Sequence, residues 1–268
     1  MRQTLKISII IIIAFGLFYF LNKNYFFNSN DWLCNLIHRK IVSYFLAYVL
    51  VGLPLIIGLF LIHKPKEITR SIGINKGFGK GLFFAFLCTS PMLIGYSVLF
   101  KFNIKITYIE IFTGVIFAAF FEELYFRGIL FGQLFRYARI GFIPSVLICA
   151  VLFAAGHLWQ SSDFSVLIGI FATTFLGAIF LAWTYIEWDN NLWVPMCLHL
   201  FMNLYWNLFS AGDNALGGFY SNIFRVLTIT FVICGTLFYK KRKGLKLNVN
   251  RNNLWLNKTH IKPTVENI

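Results

Sequence analysis

The sequence predicts an all-α, polytopic membrane protein with about eight transmembrane helices. Of the 268 residues, 58% are hydrophobic and only 13% are charged, and the mean hydropathy of +0.71 is too high for a domain with a solvated surface. Several uncharged stretches also reach the length of about 20 residues that a helix needs to cross a bilayer. This composition excludes a soluble globular domain and a disordered nucleic-acid-binding arm.

Eight stretches are predicted to span the membrane. Five of them contain no Asp, Glu, Lys or Arg and are the clearest: residues 41–62, 81–100, 140–158, 164–186 and 192–210. An Ile-rich stretch at residues 7–21 follows Arg2 and Lys6 and is interpreted as an uncleaved first helix. Two more spans, residues 107–135 and 219–239, are long enough although they contain charged residues. The sequence shows no internal repeat, and we predict one transmembrane domain over residues 1–240.

Positive charge is in excess, with 24 Lys and Arg against 10 Asp and Glu. With eight spans, most of these basic residues fall on the side of both termini, which predicts cytoplasmic termini. Residues 241–268 form a basic tail whose composition cannot bury a core but can contact anionic lipid. We therefore expect a topology anchor with a disordered end, the lipid bilayer as a partner, no nucleic-acid partner, and a membrane location that the short loops suggest is bacterial and inner.

Glu122, Glu123 and Arg127 lie in the interior of the span at residues 107–135. Each costs roughly 2.5–3.5 kcal/mol to bury and therefore indicates a function. Glu123 and Arg127 are four residues apart, so they share a helix face and are predicted to form a structural ion pair. Glu122 is rotated by about 100° from Glu123 and stays free. A buried, unpaired carboxylate suits general-base chemistry.

Two later spans add a histidine each. His157 follows the small residues at 154–156, which allow close packing, and His199 shares a helix face with Asn203. A glutamate and two imidazoles can activate water for attack on a carbonyl. They can do so directly or by holding zinc through His157 and His199. No HExxH or GxSxG pattern is present, so spacing assigns neither a metal nor an activated serine.

These residues form three motifs that resemble those of the CAAX protease and bacteriocin-processing family, also called CPBP or Abi, which includes type II CAAX prenyl endopeptidases. The motifs are EExxxR at 122–127, FxxxH at 153–157 and HxxxN at 199–203. The resemblance covers about residues 107–210. It implies an intramembrane active site that hydrolyses peptide bonds of membrane-anchored or prenylated CAAX-type peptides.

The resemblance also implies roles for the predicted site residues. Glu122 would be the base that activates water, and His157 would assist it or bind metal. His199 and Asn203 would stabilise the tetrahedral oxyanion, while the predicted ion pair would be structural. Both a metallopeptidase and a metal-free glutamate mechanism are described for such proteins, so zinc is an optional cofactor.

Two alternatives use the same residues differently. A catalytically silent scaffold or bacteriocin self-immunity protein would bind a partner and tolerate Glu122→Gln. A transporter would use the charged residues as an ion path, but the inverted repeats typical of transporters are not found. Prenyl transfer is excluded because the four aspartates are scattered and form no diphosphate site.

One geometric expectation fits the site poorly. With upright helices rising 1.5 Å per residue, Glu122 and His157 would lie at about 21–25 Å from the cytoplasmic edge and His199 at about 10–16 Å. Helix tilt, a re-entrant loop or a short surface helix between Gly128 and Arg139 would bring them to one level.

Overall fold

The computed structural model describes residues 2–257 of the chain, and this part contains eleven helices. They are α1 (Arg2–Ile37), α2 (Lys40–Val51), α3 (Leu53–Ile62), α4 (Pro65–Ile72), α5 (Phe78–Cys88), α6 (Ser90–Leu99), α7 (108–137), α8 (Phe142–Ala155), α9 (Phe164–Glu187), α10 (Trp193–Leu208) and α11 (Phe219–Arg242). The predicted all-α class is confirmed.

Several helices are long and apolar enough to cross a membrane. By length and composition four qualify: Gln3–Ile37 in α1, Phe142–Gln160, which comprises α8 and the helical turn after it, Phe164–Glu187 and Phe219–Arg242. The number rises to six if α2 with α3 and α5 with α6 are each one span, bent by 47° and 41°. A polytopic membrane protein is thus supported, but eight spans are not shown, since α10 has only 16 residues and α7 is interrupted by charges and π-helical turns. The cytoplasmic location of the termini stays a prediction.

The bend between α2 and α3 lets an aromatic residue of α7 approach the backbone. Gly52 lies at the bend, and Pro54 occupies the first turn of α3. A Cβ atom at Gly52 would clash with the hydroxyl of Tyr125, which donates a hydrogen bond to the Tyr48 carbonyl at 2.9 Å. The glycine therefore permits the contact that fixes α2 against α7.

The first helix is much longer than predicted. It has 36 residues, because the polar residues after position 21 continue the helix until His38 adopts a left-handed φ of 57°. Edge-to-face aromatic pairs hold it against α7: the ring centroids of Phe15 and Phe126 lie 5.0 Å apart, and those of Phe18 and Tyr125 lie 4.9 Å apart. These pairs fix α1 beside the motif-bearing part of α7.

The core of the protein surrounds α7. Leu130, Phe131 and Leu134 are fully buried there, whereas large apolar side chains elsewhere face outward, such as Phe83 at 66% and Val98 at 75% exposed. An apolar outer surface of this kind suits lipid contact rather than water. The arrangement is that of an integral membrane protein.

The tail is ordered where a disordered end was expected, so that prediction was wrong for residues 244–257. The backbone N–H groups of Gly141, Phe142 and Ile143 at the start of α8 donate to tail carbonyls at 2.8–3.1 Å. The N–H groups of Asn248 and Val249 donate to the carboxylate of Glu187 at the end of α9. A polar segment needs no apolar core when it satisfies a helix N-terminus and a buried carboxylate. Residues 258–268 of the predicted tail lie outside the described residues.

Candidate active site

The two adjacent glutamates lie in α7 at a change of helical type. The backbone is α-helical over Ala118–Glu122 and π-helical over Glu123–Phe131, where hydrogen bonds reach five residues along the chain. Local π-helical turns occur frequently at functional sites. The change falls between Glu122 and Glu123 and so affects the direction of each side chain. Residue spacing in the sequence does not reveal this change of helical type.

The predicted ion pair of α7 is confirmed. Nη1 of Arg127 lies 3.0 Å from Oε1 of Glu123, and both side chains are completely buried. The guanidinium also lies over the ring of Phe153 on α8, 4.3 Å from its centroid. Arg127 therefore links α7 to the helix that leads to His157.

His199 of α10 contacts both glutamates, which the sequence did not predict for Glu123. Its Nδ1 lies 2.8 Å from Oε1 of Glu123, and its Nε2 lies 4.0 Å from Oε2 of Glu122. The imidazole side chain is 12% exposed. A hydrogen bond from Nδ1 to a buried carboxylate fixes the orientation of the ring and directs Nε2 towards Glu122. Glu123 thus positions His199 in addition to pairing with Arg127.

Several polar atoms of this cluster have no aligned hydrogen bond. Among the described residues, these buried atoms include Oε2 of Glu122, Oε2 of Glu123 and the three guanidinium nitrogens of Arg127. Most buried polar atoms in proteins are hydrogen-bonded, so each exception requires an explanation. Oε2 of Glu122 lies 4.0 Å from Nε2 of His199, which is too far for a hydrogen bond, so this carboxylate stays available as a base.

His157 lies just beyond the end of α8. Its Nδ1 is 2.8 Å from the carbonyl oxygen of Phe153, and its ring lies against the phenyl ring at a centroid distance of 4.5 Å. Donation from Nδ1 to a carbonyl leaves Nε2 as the nitrogen that can accept a proton or contact a substrate. Phe153 therefore holds His157 through its carbonyl and Arg127 through its ring.

Glu122 and His157 face one small cavity of about 90 Å³, which is large enough to hold water. Aromatic side chains from four helices form most of its wall, among them Phe18 of α1 and Tyr48 of α2. Asn22 of α1 also lines it. Phe18, Tyr48 and Asn22 were not predicted as site residues. The one signal in the sequence is the polar amide of Asn22 directly after the apolar stretch at residues 7–21.

Asn203 does not line this cavity. It lies one turn beyond His199 on α10 and is partly exposed, and its carbonyl accepts a hydrogen bond from Nδ2 of Asn207 at 2.8 Å. The structure thus brings together Glu122, His157 and His199 but leaves Asn203 at the edge of the group. Its role at the oxyanion stays a prediction.

The expectation that His199 lies nearer one membrane edge than Glu122 was wrong, since their side chains approach within 4.0 Å. The expected separation holds only for straight, upright α-helices. Most of α7 is instead π-helical, which places more residues in each turn and shortens the helix. The contact also depends on helix packing, which spacing along one helix does not reveal.

Zinc in proteins usually takes three or four protein ligands, of which His157 and His199 could supply two. Within residues 2–257 no group of three His, Cys, Asp or Glu side chains is close enough to hold an ion. The Nδ1 atoms of His157 and His199 are engaged by a carbonyl and by Glu123, so each histidine could offer only its Nε2 to a metal. These donors do not fit a zinc ion as they are arranged, and no step below is routed through one.

Comparison with known families identifies the central part of the chain. Residues 104–205 match the model of a family described as type II CAAX prenyl endopeptidase Rce1-like. This range contains α7 to α9 and most of α10, with all the predicted motifs. No curated protein and no solved structure matches the chain. The chain is thus similar to this family over these residues, which are fewer than half of its length.

Proposed function

We propose that the chain, whose residues 104–205 form an Rce1-like type II CAAX prenyl endopeptidase domain, is an intramembrane endopeptidase. Its substrates would be membrane-anchored or prenylated CAAX-type peptides. The observation that carries this proposal is the cavity that Glu122 and His157 share, because it places a carboxylate and an imidazole around one space that can hold water.

The chemistry proposed for this site is hydrolysis of a peptide bond by activated water. Glu122 takes a proton from a water molecule in the cavity, and the hydroxide oxygen forms a bond to the carbonyl carbon of the substrate. The carbon–nitrogen bond then breaks as the nitrogen takes the proton from Glu122. The products are a carboxylic acid and an amine, and the Glu122 carboxylate is restored.

The two histidines would act on the charge that develops during this reaction. Removing one preorganised oxyanion donor from an enzyme typically costs about 10²–10³ in kcat. His157, fixed through its Nδ1, has Nε2 available to contact the substrate. His199 is held by Glu123 with Nε2 towards Glu122, so it is suited to orient the base or to stabilise the oxyanion together with Asn203.

The membrane environment supports a substrate that arrives within the bilayer. Large apolar side chains cover the outer surface, and the reactive groups lie among helices with long apolar stretches. A peptide with a lipid anchor or a membrane segment would be concentrated in the same layer as the site. This is the reason to prefer membrane-anchored substrates over soluble ones.

The test is cleavage by the purified protein in detergent of a farnesylated CAAX-type peptide and of a peptide with a transmembrane segment. Glu122→Gln and His157→Ala should each abolish turnover, because general acid–base catalysis typically contributes about 10²–10⁴-fold. Glu110→Gln is the matched control. Glu110 lies on the same helix but is exposed, and it accepts hydrogen bonds from Thr107.

The result also separates the alternatives. Equal turnover by wild type and Glu122→Gln would overturn the proposal, and a cellular role that survives Glu122→Gln would favour a scaffold or self-immunity protein. Each protein is measured with and without a chelator. Loss of turnover on chelation and recovery with zinc would show metal dependence.

A further inference from the structure

The wall of the cavity around Glu122 has two sources. One half, including Tyr125 and His157, comes from residues 104–205. The other half comes from α1 and α2, which precede that range, and contains Phe18, Tyr48 and Asn22. The family match therefore accounts for the reactive groups but not for the opposite wall, where a substrate would have to be held.

Asn22 is the one amide on that wall. The edge-to-face pair between Phe18 and Tyr125 fixes α1 against α7, and Asn22 follows Phe18 by one helical turn, so both lie on the same face of α1. Within residues 2–257 the Asn22 side chain makes no hydrogen bond to another protein group. Asn24, two residues further along α1, is exposed and donates from Nδ2 to the Phe20 carbonyl at 2.8 Å.

Asn22 is partly exposed, and no protein group uses its amide, so its hydrogen-bonding capacity is available to a bound molecule. The Asn side chain carries two N–H donors and one carbonyl acceptor. These groups complement the carbonyl and N–H of a peptide bond. Their position opposite Glu122 and His157 is suited to a peptide passing between α1 and α8.

We propose that Asn22 is a substrate-binding residue, whose Nδ2 donates a hydrogen bond to a backbone carbonyl of the peptide held between Glu122 and His157. This inference rests on the proposed protease function and adds a contact from outside the family domain. The group recognised is the peptide backbone, so the contact is independent of the side chains of the substrate.

The experiment compares wild type with Asn22→Leu, Asn22→Gln and Asn24→Leu, using the farnesylated CAAX-type peptide. Leucine has a similar size but no donor, and glutamine keeps the amide. We expect Asn22→Leu to lower kcat/KM by about ten- to a hundredfold, as expected when a hydrogen bond to the reacting peptide is lost. Asn22→Gln should recover part of this loss, and Asn24→Leu should match wild type.

Thermal stability distinguishes binding from a structural role. If Asn22 has no partner within the protein, Asn22→Leu should leave Tm unchanged or raise it while activity falls. Binding is measured separately by fluorescence anisotropy of the labelled peptide with Glu122→Gln, which leaves the peptide intact. Adding Asn22→Leu to this variant should weaken binding by about tenfold, equivalent to one hydrogen bond.

The possible failures are distinguishable. This inference would be overturned if Asn22→Leu had the kcat/KM and the peptide affinity of wild type. The proposed function would still stand if Glu122→Gln were inactive. A parallel fall in Tm and activity for both Asn22 variants would assign Asn22 a structural role and also overturn it. If wild type neither binds nor cleaves the peptide, the proposed substrate class fails and this inference fails with it.

Discussion

Two buried glutamates pair with cations in this protein, one in α7 and one at the end of α9, and they differ in how completely they are satisfied. Glu187 uses both oxygens: Oε2 lies 2.5 Å from Nζ of Lys240, and the two oxygens accept backbone hydrogen bonds from Asn248 and Val249. Glu123 uses only Oε1, which Arg127 and His199 share, and its Oε2 has no partner.

The difference shows how a structural charge cluster can be told from a functional one. The Glu187 cluster holds the tail against the helix ends, and its completed hydrogen bonds leave little capacity for a ligand. The Glu123 cluster positions His199 beside Glu122, and its incomplete hydrogen bonding adjoins the cavity. Cavity volume alone would not select the candidate site, because a larger groove of about 910 Å³ lies beside Glu187 and contains none of the predicted site residues.

The largest effect should follow from removing one charge of the Glu123 cluster. Arg127→Met leaves a fully buried carboxylate without its cation, which costs roughly 3–5 kcal/mol of unfolding free energy. The double variant Glu123→Gln with Arg127→Met should recover most of that stability, since both charges are gone. It should not recover cleavage, because His199 loses the carboxylate that orients it. Detergent-induced unfolding and peptide cleavage on the same preparations check both, and full recovery of cleavage would show that Glu123 is only structural.

A smaller loss of unfolding free energy is expected at the pair of Glu187 and Lys240. Glu187→Gln keeps an acceptor for the tail but removes the charge opposite Lys240, and hydrogen bonds to charged groups contribute roughly 1.5–3 kcal/mol. We expect a loss of unfolding free energy of that size in the same unfolding assay, with kcat unchanged for the folded protein. A fall in kcat as large as that of the central double variant would remove the distinction between the clusters.

The order of the tail can be weakened without touching either ion pair. The side chain of Asn253 donates to the Asn248 carbonyl at 2.6 Å and accepts from the Asn250 N–H at 2.9 Å. Each such hydrogen bond contributes about 0.5–1.5 kcal/mol, so Asn253→Ala should speed tryptic cleavage at Lys246. Asn252→Ala, which alters an exposed side chain, is the matched control and should be cleaved at the wild-type rate.

The smallest effect concerns pH at the end of the bundle that carries the tail. Nε2 of His63, just after α3, lies 2.6 Å from Oε1 of Gln133. Burial lowers the pKa of His63 below the ordinary value of 6.5. The unfolded chain therefore takes up the proton first as the pH falls, and stability is lost from about pH 6.5 downward. Thermal unfolding across this range should show a weaker pH dependence for His63→Gln than for wild type, and an equal dependence would assign it to other groups.

Much of the site was predictable from local spacing. The pairing of Glu123 with Arg127 follows from four-residue spacing on one helix and is confirmed at 3.0 Å. The contact of Glu123 with His199 joins α7 to α10 and has no local signal. The wall formed by Asn22 and Tyr48 was missed for the same reason, since both precede the recognised motifs by many residues.

The tail and the first helix show why composition misled the fold prediction. A polar, basic segment was expected to be disordered because it cannot bury an apolar core, yet it docks through backbone carbonyls and the Glu187 carboxylate. The first helix was expected to end with its apolar stretch, yet it continues to Ile37. Mean hydropathy does not reveal single residues such as Phe26 and Leu33, which the longer first helix buries, or Asn253, which the tail buries.

The sequence by itself determined the membrane class, the helix that carries the two glutamates and the ion pair within it, because composition and four-residue spacing act locally. Tertiary structure alone decided that His199 reaches both glutamates, that His157 shares a cavity with Glu122, and that Asn22 faces them from α1. These contacts depend on helix bends, π turns and interhelical packing between residues far apart in the chain.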